Sequence, residues 1–93
     1  MYNIKMKRWS IIFKILGNIN RLKIVSILNE KGGMYVGDIA TKLDISIKAT
    51  SKHLILFGNL DVLEYKGQSG HVLYYINPVM PEDIKKVLKL FLK

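Results

Sequence analysis

The sequence contains no cysteine. Disulfide bridges and thiolate-held metal sites are therefore excluded for these 93 residues. Acid is scarce: seven Asp and Glu stand against fifteen Lys and Arg, a formal net charge of +8. Proline occurs only at Pro78 and Pro81, which leaves long stretches free to be helical. No apolar run approaches the ~20 residues needed to span a bilayer. The opening MYNIKMKRWSIIFKILGN sets basic residues before apolar ones. Lys14 interrupts that run and no small-residue cleavage site follows, so it does not read as a secretory leader. Repeats and low-complexity tracts are missing. So are a phosphate-cradling glycine loop, since Gly32-Gly33 reads as a turn, and a glycine elbow around a serine. No catalytic residue is assigned on this basis, and neither a cofactor nor a metal is expected. The expected setting is cytoplasmic: nucleoid-associated in a cell, or the host cytoplasm for a viral chain.

What is present argues for one folded domain, residues 1–93. Apolar residues make up 49% of the chain, too many for disorder. A chain this short buries about 60–65% of its unfolded surface, so its core is modest and a second copy is a common way to extend it. The charge is uneven. Residues 1–31 hold seven Lys or Arg and one Glu, residues 32–61 hold three of each sign, and residues 62–93 hold five against three. Surplus positive charge points to a polyanionic partner, nucleic acid ahead of an acidic membrane, with plain solubility as the bland explanation.

Periodicity supplies the elements. Trp9, Ile12, Phe13 and Leu16 form a helical stripe, and Ile4, Ile11 and Ile15 a second apolar face. A helix greasy on two sides usually lies between two things. Gly17-Asn18 ends it, and Asn20 is expected to cap a second helix with Leu22, Val25 and Leu28 inward and Ile24 and Ile27 beside them. Gly32 suits the left-handed stop. An extended piece, Met34 to Val36, precedes a brief helix with Val36, Ile39, Ala40 and Leu43 on one side. Asp44-Ile45 turns, and Ser46 caps a fourth helix. Its predicted buried face is Ile47, Thr50, Leu54 and Phe57; Lys48, Lys52 and Asn59 lie opposite. VLEYKGQSGHVLYYI reads as a hairpin, with Gly67 and Gly70 bracketing the connection. A last helix has Pro81 in its first turn, Glu82 and Asp83 at its positive end, and Ile84, Val87, Leu88 and Phe91 inward.

Two helices joined by a short turn and followed by a hairpin are the parts of a winged helix-turn-helix. INRLKIVSIL, VGDIATKLDIS, ATSKHL and GHVLYY, in that order, resemble the ArsR-type winged-helix repressors over about Leu16 to Ile76. The fold class expected is mainly α with a small β-hairpin (α+β). The resemblance implies a helix-turn-helix at 36–60, a wing at 62–77, and a homodimer formed by residues 1–17 and 81–93. It also implies that the helix beginning at Ser46 enters the major groove of double-stranded DNA. The surplus apolar faces of the terminal helices agree independently, naming Trp9, Ile11, Ile12, Phe13, Ile15, Val87, Leu88, Leu90, Phe91 and Leu92 as interface candidates. Metal-sensing members carry a Cys-x-Cys pair where this chain has Tyr35 and Gly37, and the last helix has no His. Further departures are Ile55 at a place often basic, Gly58 inside the helix, and Asp61 for a usual glycine.

The DNA-binding candidates follow from chemistry. The start of a recognition helix faces base edges, which favours Ser46, Ile47, Lys48, Ala49, Ser51 and Lys52. Lys can donate to guanine, hydroxyls to most bases, and Ile47 or Ala49 can touch a thymine methyl. Ser46 can equally be a simple cap, and both roles are compatible. His53 reads either as a DNA contact or as a half-exposed ring against the helix stripe. Lys66, Gln68, Ser69 and His71 surround the wing tip, which is otherwise an ordinary solvated hairpin. Arg21 and Lys23 read as phosphate contacts or as a plain solvated face. The function expected is that of a sequence-specific, DNA-binding transcriptional regulator acting as a homodimeric repressor. The rival is a winged-helix module used for protein or RNA contact. Membrane-surface binding by the first helix is weaker, because its apolar faces are needed elsewhere.

Overall fold

The computed structural model describes residues 3–92. Five helices and three short strands follow one another: α1 (Ile4–Leu16), α2 (Ile19–Lys31), β1 (Met34–Tyr35), α3 (Val36–Leu43), α4 (Ile47–Asn59), β2 (Leu63–Gln68), β3 (His71–Ile76) and α5 (Glu82–Phe91). The three strands form one antiparallel sheet in the order β1-β3-β2. The body is elongated, 47 Å against 24 Å in the other two directions.

Three of the helices, α1, α2 and α4, start where an Asn or Ser side chain accepts from a first-turn amide. Asn3 Oδ1 accepts from the Met6 amide at 2.8 Å, and Asn18 Oδ1 from the Arg21 amide at 3.1 Å. The cap of α2 is thus Asn18, not the expected Asn20. Both are asparagines, but with Ile19 already helical only Asn18 sits three residues before the amide it serves. Gly32 closes α2 in the left-handed region, φ 82°, and donates its amide to Leu28 O.

The core gathers Ile12, Ile15 and Leu16 from α1, Ile24, Val25 and Leu28 from α2, Ile39 from α3, Leu54 and Phe57 from α4, and Ile84 and Leu88 from α5. Several predicted faces are rotated from this. In α1, Ile15 takes the buried place and Phe13 is 60% exposed, because both stripes are apolar and only packing chooses between them. In α5, Phe91 is 46% exposed, while Ile84 and Leu88 carry the contact. Ile47 is exposed rather than core, since the first turn of α4 extends past the edge of the apolar cluster.

The hairpin differs in two ways from its sequence reading. Its turn is Ser69-Gly70, both with positive φ (53° and 80°), closing a two-residue loop between the paired Gln68 and His71. Gly67 lies in the strand opposite Val72. And the extended Met34-Tyr35 is a third strand, paired to Tyr74 and Leu73 of β3, while Val36 already begins α3.

The corner between α4 and the wing is held by polar atoms. Past Asn59 the chain makes a Schellman closure: Asp61 N–H donates to Gly58 O at 3.0 Å and Val62 N–H to Phe57 O at 3.0 Å. Asp61 occupies the left-handed position, φ 59°, where glycine is the usual residue. Asn77, 5% exposed, stitches this corner to the exit of β3. Its Nδ2 donates to Asp61 O at 3.0 Å, its Oδ1 accepts from Val79 N at 3.0 Å, and its own amide donates to Val62 O at 2.9 Å. Asn77→Ala should cost about 1–3 kcal/mol, because it strips partners from buried backbone groups. Urea unfolding checks this; an unchanged midpoint would remove Asn77 from the account of the corner.

Candidate nucleic-acid interface

The local sequence SIKATSKHL builds α4 as a helix with two unlike sides. Ser46 is extended (φ −67°, ψ 156°) and its Oγ accepts from the Ala49 amide at 3.0 Å. Thr50, fully buried, donates its hydroxyl to Ser46 O at 2.9 Å, so its burial leaves no orphaned polar group. Leu54 and Phe57, both 0% exposed, continue that side into the core. The other side carries Lys48 and Lys52, both exposed, and no Asp or Glu occurs between Ser46 and Asn59. Asp44, left-handed at φ 56°, ends α3 and sets the three-residue turn that aims α4.

Each candidate from the sequence has a definite place. Ser46 and Ile47 are exposed at the tip of the helix, and Ala49, Ser51 and His53 are half-buried along its flanks. Lys66, Gln68, Ser69 and His71 are all exposed, near or at the free end of the hairpin. That end lies roughly 17 Å beyond Leu63, where the wing leaves the core, from the ~3.4 Å rise per strand residue. The Lys66 ammonium lies 5.9 Å from the Tyr75 ring centre, and His71 packs its ring on Tyr35 at 5.3 Å. The two groups, helix start and wing tip, are separate. The fold joins them through the α4–β2 corner rather than by direct contact.

Two residues passed over as candidates belong to the same exposed face. Ile55 (57% exposed) and Asn59 continue the Lys48–Lys52 line at helical spacing. Helical spacing sets Asn59 with the lysines, whereas Ile55 enters the sequence reading only as a departure from the basic residue often found at its place. Between this end of α4 and β2 lies an open cleft of about 420 Å³, lined by Ile55, Gly58, Asn59, Leu63, Tyr65 and Tyr74 among others. His53 has a partner that sequence could not show. Arg21 Nε donates to His53 Nδ1 at 3.2 Å, and Arg21 Nη1 donates to Ile15 O at 3.0 Å. Partial burial, and second the Arg21 charge, hold the His53 imidazole below its usual range.

An ion pair links the two terminal helices. Arg8 forks onto Asp83, with Nε–Oδ2 at 3.0 Å and Nη2–Oδ1 at 2.9 Å, and so ties α1 to α5. Of the interface candidates, Ile12, Ile15 and Leu88 are buried in the protomer's own core and present nothing to a second chain. They are corrected to core residues. Trp9, Val87 and Leu92 are half-buried, whereas Ile11, Phe13, Leu90 and Phe91 are 45%, 60%, 75% and 46% exposed. Among the described residues no helix is long and apolar enough to cross a membrane. Nor do three or more His, Asp or Glu side chains of the described residues gather in a metal-holding group.

A capped helix bolted on one side and bare on the other, preceded by a turn and a short helix and followed by a hairpin, defines a winged helix-turn-helix domain. Residues 18–62 match the family described as "Bacterial regulatory protein, arsR family". The chain belongs to that ArsR family. It is 36% identical over 77 residues to the arsenical resistance operon repressor of Escherichia coli, covering 83% of this chain and 66% of that protein. It is 41% identical over 63 residues to the cadmium resistance transcriptional regulatory protein CadC of Listeria innocua, covering 68% and 52%. The chain thus spans between half and two thirds of the length of these curated relatives. In fold it is similar to the homodimeric winged helix-turn-helix DNA-binding domain Mb0332 of Mycobacterium bovis, with a TM-score of 0.75 at 23% identity, covering 92% of this chain and 76% of that one.

The cap supports an immediate test. Ser46→Ala should cost about 0.5–2 kcal/mol and speed hydrogen exchange at the Ala49 amide first. Native-state exchange followed by NMR reads both. Unaltered protection at Ala49 would mean that the cap does not set the start of α4.

Proposed function

We propose that this protein is a sequence-specific, double-stranded DNA-binding transcriptional regulator that acts as a homodimeric repressor. The observation that carries the reading is the acid-free face of α4, where Lys48 and Lys52 project from a helix whose other side is locked in the core. In a winged helix-turn-helix such a helix start lies in the major groove. Lys48, Lys52, Ser51 and Ala49 would then meet base edges, Ile47 a thymine methyl, and the amides beside Ser46 a phosphate. Lys66, Gln68, Ser69 and His71 would meet the backbone or minor groove beside it. A cytoplasmic location accompanies this work.

Dimerisation is read from the apolar residues left bare on α1 and α5: Ile4 (88% exposed), Ile11, Phe13, Leu90 and Phe91. Exposed apolar side chains on two helices that an ion pair ties together mark a contact surface. A two-fold axis there would set two recognition helices about one DNA turn, ~34 Å, apart. The relatives are named for arsenical and cadmium resistance, but thiolate capture of such ions needs cysteine, which these 93 residues lack. Use of the wing and α4 for protein or RNA contact is the rival reading, and the unbroken positive face of α4 does not favour it.

Selection of bound duplexes from a random pool, followed by a salt titration on the winner, tests the reading. Lys48→Ala with Lys52→Ala should leave the melting temperature within a few degrees. It should weaken binding to the selected duplex at least tenfold and relax the preference at the base pairs the two lysines meet. Equal affinity at moderate salt would defeat the assignment of α4. Phe13→Glu with Leu90→Glu should shift sedimentation from dimer to monomer; a retained dimer would move the interface off these helices.

A further inference from the structure

We infer that Arg21 is a positioning residue for DNA binding: it fixes the tautomer of His53 so that the ring offers Nε2–H to a phosphate oxygen of the duplex. The inference rests on the DNA-binding reading of α4 and goes beyond it by naming how one contact is prepared.

The chemistry starts from the donor inventory. A guanidinium has N–H donors and no acceptor. Its Nε–H points to His53 Nδ1 at 3.2 Å, so that nitrogen must be the unprotonated one. The neutral ring then carries its single proton on Nε2. Among the described residues Nε2 has no protein hydrogen-bond partner, and it is not among buried unsatisfied atoms, so it is open to solvent. His53 stands two turns along α4 from Ser46, on the flank between the core side and the lysine face. A donor left there with one edge tied and the other free is fit for an acceptor that arrives from outside.

Arg21 is itself well fixed. Its amide is held by the Asn18 cap, and its Nη1 donates to Ile15 O in the last turn of α1, where the helix dipole favours a positive charge. Three helices therefore meet at this guanidinium: α1 through a carbonyl, α2 through its own backbone, and α4 through the imidazole. Arg21 is the charged group facing His53 from α2; Lys52 precedes it on α4, and no carboxylate of the described residues lies within ion-pair distance of the ring. Protonation of Nδ1 would put a hydrogen against the Arg21 N–H and break the tie. The tied ring therefore stays neutral at pH values where a free imidazole is already gaining charge.

The test uses the whole chain unchanged, with the imidazoles of His53 and His71 told apart by residue-specific NMR assignment. Long-range proton–nitrogen NMR of the imidazole should show the Nε2–H tautomer in the parent. In Arg21→Met the His53 titration should move up toward that of a free imidazole. Affinity for the selected duplex should change less than about twofold from pH 8 to pH 6 in the parent. In Arg21→Met it should tighten about threefold or more over that range, the effect of one added charge at a solvent-screened phosphate contact. An Nδ1–H ring in the parent overturns the assignment even if the variant fails to fold, and so do parallel pH profiles of parent and variant. Failure of the parent to bind any duplex instead overturns the DNA-binding reading, and this inference with it.

Discussion

The seating of α4 is the constraint from which the other features of the site derive their meaning. Thr50, Leu54 and Phe57 are each fully buried, about one turn apart, and they lock one side of the helix against α3 and the root of the wing. Removing three such side chains from water contributes several kcal/mol, more than any single surface ion pair in the molecule could. Because rotation of α4 about its axis would expose Phe57 or bury a lysine, Lys48 and Lys52 have a fixed direction. The hydroxyls complete the seat: Ser46 closes the helix start, and Thr50 returns its proton to Ser46 O rather than leaving it unpaired in the core.

The wing is held to that seat by backbone geometry more than by grease. Asp61 accepts a left-handed conformation so that the chain can leave α4 and enter β2 across three residues. Asn77 then joins the start of β2 to the end of β3. A third strand, β1, adds a backbone ladder on the other edge of β3 and carries the chain straight into α3. The sheet is small, but it couples α3, α4 and the hairpin into one frame. Arg8 and Asp83 do the same for α1 and α5, as a partly exposed pair that orients more than it stabilises.

Much of this was legible in the residues, for identifiable reasons. Ser46 before a run with Thr50, Leu54 and Phe57 at helical spacing announces a capped, one-sided helix, and the lysines opposite announce a free face. Gly32 and the Ser69-Gly70 region mark turns through their backbone freedom. What was not legible depends on contacts between distant segments. Two residues, Met34 and Tyr35, cannot name the strand they will pair with. The two apolar stripes of α1 compete on equal terms until α2 and α5 are in place, so Ile15 and Phe13 exchange roles. Asn18 and Asn20 are equal as caps until the first helical residue is known. Arg21 and His53, 32 residues apart, carry no mutual sign in the sequence. Ile55 stands at the right spacing, but an apolar side chain carries no sign in the sequence that its face is bare.

The most direct measurement is an amide chemical-shift titration of the chain with its selected duplex. The account predicts that the largest changes fall on Ser46 to Ile55 and on Lys66 to His71, while Asp38, Asn29 and the amides of α5 hold still. Changes centred instead on α1 and α5, with α4 silent, would contradict it.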